Sequence, residues 1–191
     1  MKDQIINIKE SNNDEEILSL FRSEKTVNSG MKLLMQNHRQ SLYHHIRRMV
    51  ESHEDTDDIL QNVFVKAYKA IAKFEGKSKL STWLYRIATN ETLTFLKKQK
   101  IKVVGSETNE NMLNQVIAEP HIEGDQIIEL LQKAISVLPE KQKLVFSMRY
   151  FDEMSYADIS QVLNVTTGGL KASFHHAVKK IEVFVKENQE L

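Results

Sequence analysis

"MSYADISQVLNVTTGGLKASFHHAVKKI", residues 154–181, decides how this chain folds. Two amphipathic segments flank a short polar corner. Ile159, Val162 and Leu163 recur at three- and four-residue spacing in the first, and Leu170, Phe174, Val178 and Ile181 do so in the second. That is the period of a helix with one apolar face. Ser155 stands where it can cap the first helix and Thr166 where it can cap the second, since a hydroxyl there accepts a first-turn amide. The corner "NVTT", with Val165 turned inward, joins them at the sharp angle of a helix-turn-helix, whose second helix fits the DNA major groove. The groove side would carry Thr167, Gly168, Lys171, Ala172 and His175, with Lys179 farther along the backbone. Between Val165 and Ile181 there are three lysines and no acid, which suits phosphate contact. An ordinary amphipathic hairpin with a solvated basic face is the plainer reading of the same residues.

The rest of the chain keeps the helical period, and six glycines and two prolines in 191 residues do little to interrupt it. "DEEILSLFRS" (14–23) reads as a short helix with Asp14 as N-cap and Ile17, Leu20 and Phe21 on one side. "MKLLMQNHRQSLYHHIRRMV" (31–50) turns Met31, Leu34, Met35, Leu42, Ile46 and Met49 inward. "DTDDILQNVFVKAYKAIAKF" (55–74) begins with acids and ends with lysines, matching the helix dipole, and buries Leu60, Val63, Phe64, Ala67, Ile71 and Phe74. After the loop "EGKSK" (75–79), "LSTWLYRIATNETLTFLKK" (80–98) repeats the stripe with Leu80, Trp83, Leu84, Ile87 and Ala88. Residues 105–124 are polar, acidic and interrupted by Pro120, so they read as a linker. Beyond them "DQIIELLQKAISVL" (125–138) precedes Pro139, suited to the first turn of "PEKQKLVFSMRY" (139–150). The fold class expected is all-α, two small helical domains joined by a polar acidic linker. The divisions are 1–101, 102–124 and 125–191, the last a four-helix unit ending in the helix-turn-helix.

Charge is balanced overall, with 26 basic and 26 acidic residues, yet it is strongly segregated. Lys66 to Lys102 holds ten Lys or Arg against Glu75 and Glu91; Glu51 to Asp58 holds five acids and no Lys or Arg; Val103 to Glu129 holds six acids and no Lys or Arg. Different surfaces therefore suit different partners, and the basic block has the footprint of a nucleic-acid contact. The chain has no cysteine, which removes disulfides and thiolate metal sites and favours the cytoplasm. No signal-peptide core and no apolar run near the ~20 residues of a membrane span is found, so neither export nor membrane insertion is expected.

With these residues in view, the chain from about Asp14 to Phe184 resembles a bacterial RNA polymerase sigma factor of the extracytoplasmic-function (ECF) group. "DTDDILQNVFVKAYKAIAKFEGKSKLSTWLYRIATNETLTFLKK" resembles the family's domain two, and "LPEKQKLVFSMRYFDEMSYADISQVLNVTTGGLKASFHHAVKKI" its domain four. The resemblance implies binding to core RNA polymerase and promoter DNA and selection of where transcription starts, in the cytoplasm and on the nucleoid when bound to polymerase. It admits an anti-sigma factor as a further partner. By position it implies that Asp58, Gln61, Asn62 and Val65 dock on a coiled-coil of the largest polymerase subunit. Phe74, Lys77, Ser78, Lys79, Arg86 and Asn90 would hold the opened minus-ten element, while Lys97 to Lys102 grip duplex just upstream. Thr167, Gly168, Lys171, Ser173, His175, His176 and Lys179 would read the minus-thirty-five element, and "PEKQK" would lie near the polymerase flap. The linker acids would point toward the RNA exit path. The chain departs from the family pattern at Asn62 (usually Glu), Glu75 (commonly Arg), Leu80 (commonly Phe), and Ser173 and His176 (often Arg). Trp83, by its spacing with Leu80 and Ile87, reads as core rather than a stacking platform.

Two rival readings follow from the same residues. Catalysis lacks a constellation: no HExxH or P-loop is present, and Glu91 and Asp58 read as isolated acids. Adjacent histidines, His44/His45 and His175/His176, diverge by about 100° on a helix and chelate poorly, so no metal and no cofactor is expected. The other rival is a stand-alone helix-turn-helix regulator that binds duplex operators as a dimer. It leaves the basic loop of the first domain without a role.

Overall fold

The computed structural model describes residues 14–50, 52–104 and 126–188. Among them there is helix and no strand. Residues 14–20 form α1, followed by α2 (Val27–Arg47), α3 (His53–Ala70) with a 3-10 turn at Ile71–Lys73, and α4 (Leu80–Val104). The second unit is α5 (Gln126–Ser136), α6 (Glu140–Tyr150), α7 (Tyr156–Leu163) and α8 (Thr167–Asn188).

Local chemistry sets the helix ends. Ser52, extended at φ −84°, accepts the amide of Asp55 at 3.2 Å, and Glu54 and Asp55 lie in the first turn of α3. Pro139 is the N-cap residue of α6, one position ahead of the helix. Asp14 differs from its expected role: it lies within α1, and its Oδ2 accepts the amide of Leu80 at 3.0 Å, satisfying the first donor of α4 across the fold. Gly30 lets α1 and α2 approach closely, since a Cβ there would meet Leu20 Cβ at 3.0 Å and the Phe21 ring at 3.1 Å.

Helices α2, α3 and α4 pack on one another, and α8 packs on α5, α6 and α7. The two units are also docked, α4 against α7. One apolar cluster accordingly contains Leu42, Ile46, Leu60, Val63, Phe64, Leu80 and Leu84 together with Met148, Ile159, Val162 and Leu170. A second cluster, of Ala134, Ile135, Leu138, Phe146, Ala177 and Ile181, belongs to the last four helices alone.

Most of the expected stripes are buried, with two corrections. Met35 is 37% exposed, lining an open depression with Met31, Arg39 and Tyr43, whereas His45 on the same helix is 1% exposed. Val165 is 44% exposed rather than turned inward, because the corner is closed by capping hydrogen bonds and not by an apolar plug. Leu84 has no solvent exposure and belongs to the larger apolar cluster. Leu84→Ala is expected to lower stability by about 2–5 kcal/mol, the cost of a buried leucine cavity, read from the urea midpoint at unchanged m-value.

Candidate nucleic-acid interface

The helix-turn-helix is built by its caps. Ser155 Oγ accepts the amide of Asp158 at 3.1 Å and donates to Asp158 Oδ2 at 2.6 Å, a reciprocal start for α7. At the other end Asn164 takes the left-handed conformation, φ 54° and ψ 46°, and stops the helix. Thr166 Oγ1 then accepts the amide of Gly169 at 3.3 Å and opens α8. Ile159, Val162, Leu170 and Ile181 are buried. Phe174 stacks on Phe146, with ring centroids 5.7 Å apart, and meets the edge of Tyr156 at 6.3 Å.

Burial of that apolar face leaves the opposite one open. Thr167, Gly168, Lys171, Ala172, His175, His176 and Lys179 are exposed and Ser173 is half-buried. A Cβ at Gly168 would touch nothing within 4 Å, so the helix start presents no bulk to an approaching backbone. Lys171 Nζ lies 6.0 Å and the Arg149 guanidinium 5.4 Å from the centre of the Tyr156 ring, an electrostatic attraction to the π-face. An open depression of about 500 Å³ is lined by Arg149, Tyr150, Glu153, Tyr156 and Phe174. Arg149 and Tyr156 were missed by the sequence reading; their cation–π geometry needs α6, α7 and α8 together. Among the described residues no group of three or more His, Cys, Asp or Glu could hold a metal ion.

A second polar surface surrounds the start of α4. Phe74 is half-buried against Trp83, ring centroids 5.4 Å apart, and both pack on the apolar core. The loop turns at Gly76, whose φ of 70° suits glycine, and Lys77 pairs with Glu75 across it. Lys77 and Lys79 are exposed and Ser78 half-buried. Arg86 and Asn90, one helical turn apart, are both exposed. Glu91 is not isolated, for it forms an ion pair with Lys66 of α3. Lys97, Lys98 and Lys100 are exposed on the last turns of α4.

Helix α3 offers a third surface. Asp58, Gln61, Asn62 and Val65 are all exposed and fall at i, i+3, i+4 and i+7, one stripe. Tyr68, 47% exposed, continues it by a turn. Val65 and Tyr68 are thus two large apolar side chains left open on this stripe.

Comparison with known proteins identifies the family. The description of Sigma-70 region 2 matches residues 34–101, and that of Sigma-70 region 4 matches residues 128–181. The ECF RNA polymerase sigma factor SigW of Bacillus subtilis is 33% identical over 149 residues, 72% of this chain and 79% of SigW. The chain belongs to the ECF sigma factors. Its function is therefore to direct promoter-specific initiation of transcription, and the stand-alone dimeric regulator is not favoured. The family is one of transcription regulators rather than enzymes. The ECF sigma-E factor of Escherichia coli K12 is 26% identical over 171 residues, 84% of this chain and 89% of that protein. In fold the sigma factor is similar to RpoE of Bartonella quintana, solved with the anti-sigma factor NepR (TM-score 0.67, 21% identity, 82% of this chain and 97% of that one). It is also similar to CnrH, solved with the cytosolic domain of CnrY (TM-score 0.67, 16% identity, 92% and 99%).

Between sigma regions two and four lies a polar cluster that sequence reasoning did not find. Asp152, in the turn between α6 and α7, has a side chain only 3% exposed. Its Oδ2 accepts from Nδ1 of His45 at 2.9 Å, and its Oδ1 is paired with Arg48. The Tyr85 hydroxyl lies 3.4 Å from the same oxygen. Burial, and next the Asp152 carboxylate, push the Tyr85 phenol well above its ordinary value, so it remains a neutral donor. His45 Nε2 reaches Thr89 Oγ1 at 3.0 Å. The one available clue was His45 beside Leu42 and Ile46 on the inward face of α2; its partner 107 residues away has no periodic signature.

The left-handed cap between α7 and α8 gives a test of the reading helix's placement. Asn164→Val is expected to destabilise the sigma factor by about 1–2 kcal/mol, the cost of a Cβ-branched residue in that region, while Asn164→Gly stays close to wild type in the same thermal melt.

Proposed function

We propose that this ECF sigma factor divides promoter recognition and polymerase binding among the three exposed surfaces. The reading is carried by one observation: every residue assigned to the last helix, apart from half-buried Ser173, is exposed, while Leu170, Ala177 and Ile181 of the same helix are buried. Thr167, Gly168, Lys171, Ser173, His175, His176 and Lys179 read the minus-thirty-five element in the major groove, lysines on phosphates and the remainder toward base edges. Phe74, Lys77, Ser78, Lys79, Arg86 and Asn90 hold the opened minus-ten strand. Lysines and Arg86 follow its backbone beside a half-buried aromatic pair, as single-strand binding requires. Lys97 to Lys102 grip the duplex upstream.

Asp58, Gln61, Asn62 and Val65 dock on the coiled-coil of the largest polymerase subunit, and the acids of the α3 start steer that encounter. Residues 1–101 and 125–191 are the working units, joined through 102–124. The solved relatives RpoE and CnrH are held by NepR and by the cytosolic domain of CnrY, which supports an anti-sigma partner here. The chain acts in the cytoplasm and on the nucleoid when bound to polymerase; among the described residues no helix is long and apolar enough to cross a membrane.

Run-off transcription with purified core polymerase, with and without this protein, tests the reading on promoters found by mapping transcript starts after overexpression. Initiation at those starts only when the protein is present is the expected result. Binding of duplex DNA alone, with no specific initiation on any candidate promoter, would refute it. Asp58→Arg is expected to weaken assembly with core polymerase by about tenfold or more, roughly 1.4 kcal/mol, with an unchanged circular dichroism spectrum. Co-purification equal to wild type removes Asp58 from the interface. Lys171→Ala is expected to lose about one unit of the slope of log K against log salt in binding minus-thirty-five duplex. An unchanged slope denies it a phosphate contact.

A further inference from the structure

We infer that Asp14 is a positioning residue for promoter opening: from α1 it caps α4 and holds the rear end of the loop assigned to the minus-ten strand. The inference rests on that assignment of Phe74, Lys77, Ser78, Lys79, Arg86 and Asn90. Helices α3, α7 and α8 each begin on a hydroxyl of their own chain segment, Ser52, Ser155 and Thr166. Helix α4 begins differently. The carbonyl of Lys79 accepts the amide of Trp83 at 3.1 Å, so Lys79 stands at the N-cap position, and an ammonium side chain has no acceptor to offer the first-turn amides. Ser78, one residue earlier, donates its hydroxyl to the Lys79 carbonyl at 3.2 Å. The first turn of α4 also carries no acid. Its first amide, that of Leu80, is met instead by Oδ2 of Asp14, 66 residues away in sequence, at 3.0 Å.

Both partners of this contact are held from behind. Leu80 has no solvent exposure, nor has Ile17, and the two belong to the same apolar cluster. Asp14 and Ile17 are i and i+3 on one face of α1, so burial of Ile17 sets the carboxylate against the start of α4. A carboxylate suits that place, because the N-terminal end of a helix carries partial positive charge.

The loop is thereby tied at both ends. At the front, the Phe74 amide donates to the Ile71 carbonyl at 3.0 Å and the Phe74 ring rests on Trp83. At the rear, Asp14 holds Leu80. Between these anchors the chain turns at Gly76, where an added Cβ would meet nothing within 4 Å, and the side chains of Glu75 and Lys77 are 65% and 85% exposed. The loop has little packing of its own, so its order comes from the anchors. Without the rear one, the first turn of α4 frays, and Lys77 to Lys79 lose their fixed placement relative to Arg86 and Asn90 farther along the helix. A strand must then order them as it binds, which lowers its affinity. Asp14 acts through the Leu80 amide and not by touching the strand.

Holoenzyme assembled from core polymerase and the full-length Asp14→Ala protein is expected to bind a single-stranded oligonucleotide carrying the minus-ten region of a promoter mapped by its transcript start. The binding should be about fivefold weaker than wild type, the equilibrium factor of one lost helix cap. Assembly with core polymerase, and binding of the free protein to minus-thirty-five duplex, should match wild type. Asp14→Asn, which keeps an acceptor oxygen without the charge, should recover most of the strand affinity. Amide hydrogen exchange at Leu80 should quicken in Asp14→Ala and stay slow in Asp14→Asn, with exchange in α8 unchanged. Equal strand binding by wild type and Asp14→Ala overturns the inference, and so does an Asn variant as weak as the Ala variant. Loss of the fold in Asp14→Ala, or a matching loss of duplex binding, assigns the carboxylate to general stability and overturns the positioning role. A wild-type holoenzyme that does not bind the strand overturns the minus-ten assignment itself, and this inference with it.

Discussion

The carboxylate of Asp152, almost completely withdrawn from water, is the constraint on which the arrangement of the two units depends. Stripping a carboxylate of water costs several kcal/mol even after relaxation, and nothing on its own turn offsets that. The compensation comes from Arg48, His45 and Tyr85, all across the boundary. The cluster is therefore satisfied only in one relative placement of α2, α4 and the α6–α7 turn. An apolar contact alone would tolerate sliding, whereas a carboxylate shared among a guanidinium, an imidazole and a phenol does not. Such a centre fixes register without adding much net affinity, since both sides regain full hydration on parting.

Around that joint, charge segregation gives each helix its business. The zero net charge of the chain conceals an acidic start to α3, a basic α4 and a lysine-bearing α8. In the folded protein the exposed acids at the start of α3 and the exposed lysines of α4 lie on different helices, so a basic polymerase surface and a polyanion are not forced to compete for one patch. Among the contacts that set acid against base, Lys77 with Glu75 lies within the proposed single-strand surface, and Lys66 with Glu91 and Lys100 with Glu140 involve lysines of the same basic block. They tune how much of the basic block is available, because a paired lysine offers less to phosphate than an unpaired one.

The helices were legible in the sequence because their causes are local. Ser155 and Thr166 cap where their spacing from the apolar stripes says they must, and Leu60, Val63 and Phe64 are buried at helical period. Each misreading has a nonlocal cause. Met35 looked inward by period, but it lines an open depression with Met31 and Tyr43, since period alone does not show how far along α2 the neighbouring helices reach. Val165 looked like a plug because an apolar residue in a tight turn often is one. Glu91 looked isolated because its lysine is 25 residues away, and Asp152 went unremarked because its partners are more than 60 residues away. Periodicity reports which face is buried; it does not report which polar residue is buried with it.

Helix α8 bears on specificity through what it lacks. Ser173 and His176 stand where guanidinium forks are common in the family, and lysine is a point charge that meets phosphate without reading sequence. On the proposed assignment of α8 to the minus-thirty-five element, a helix of this composition gains affinity chiefly from counterion release and discriminates modestly between bases. Discrimination between promoters must then come from requiring both elements at the right separation, since two weak contacts joined by a tether multiply into a strong one only when both can engage at once. A sigma factor with few guanidinium contacts thus depends more on the geometry of its two units than one with many.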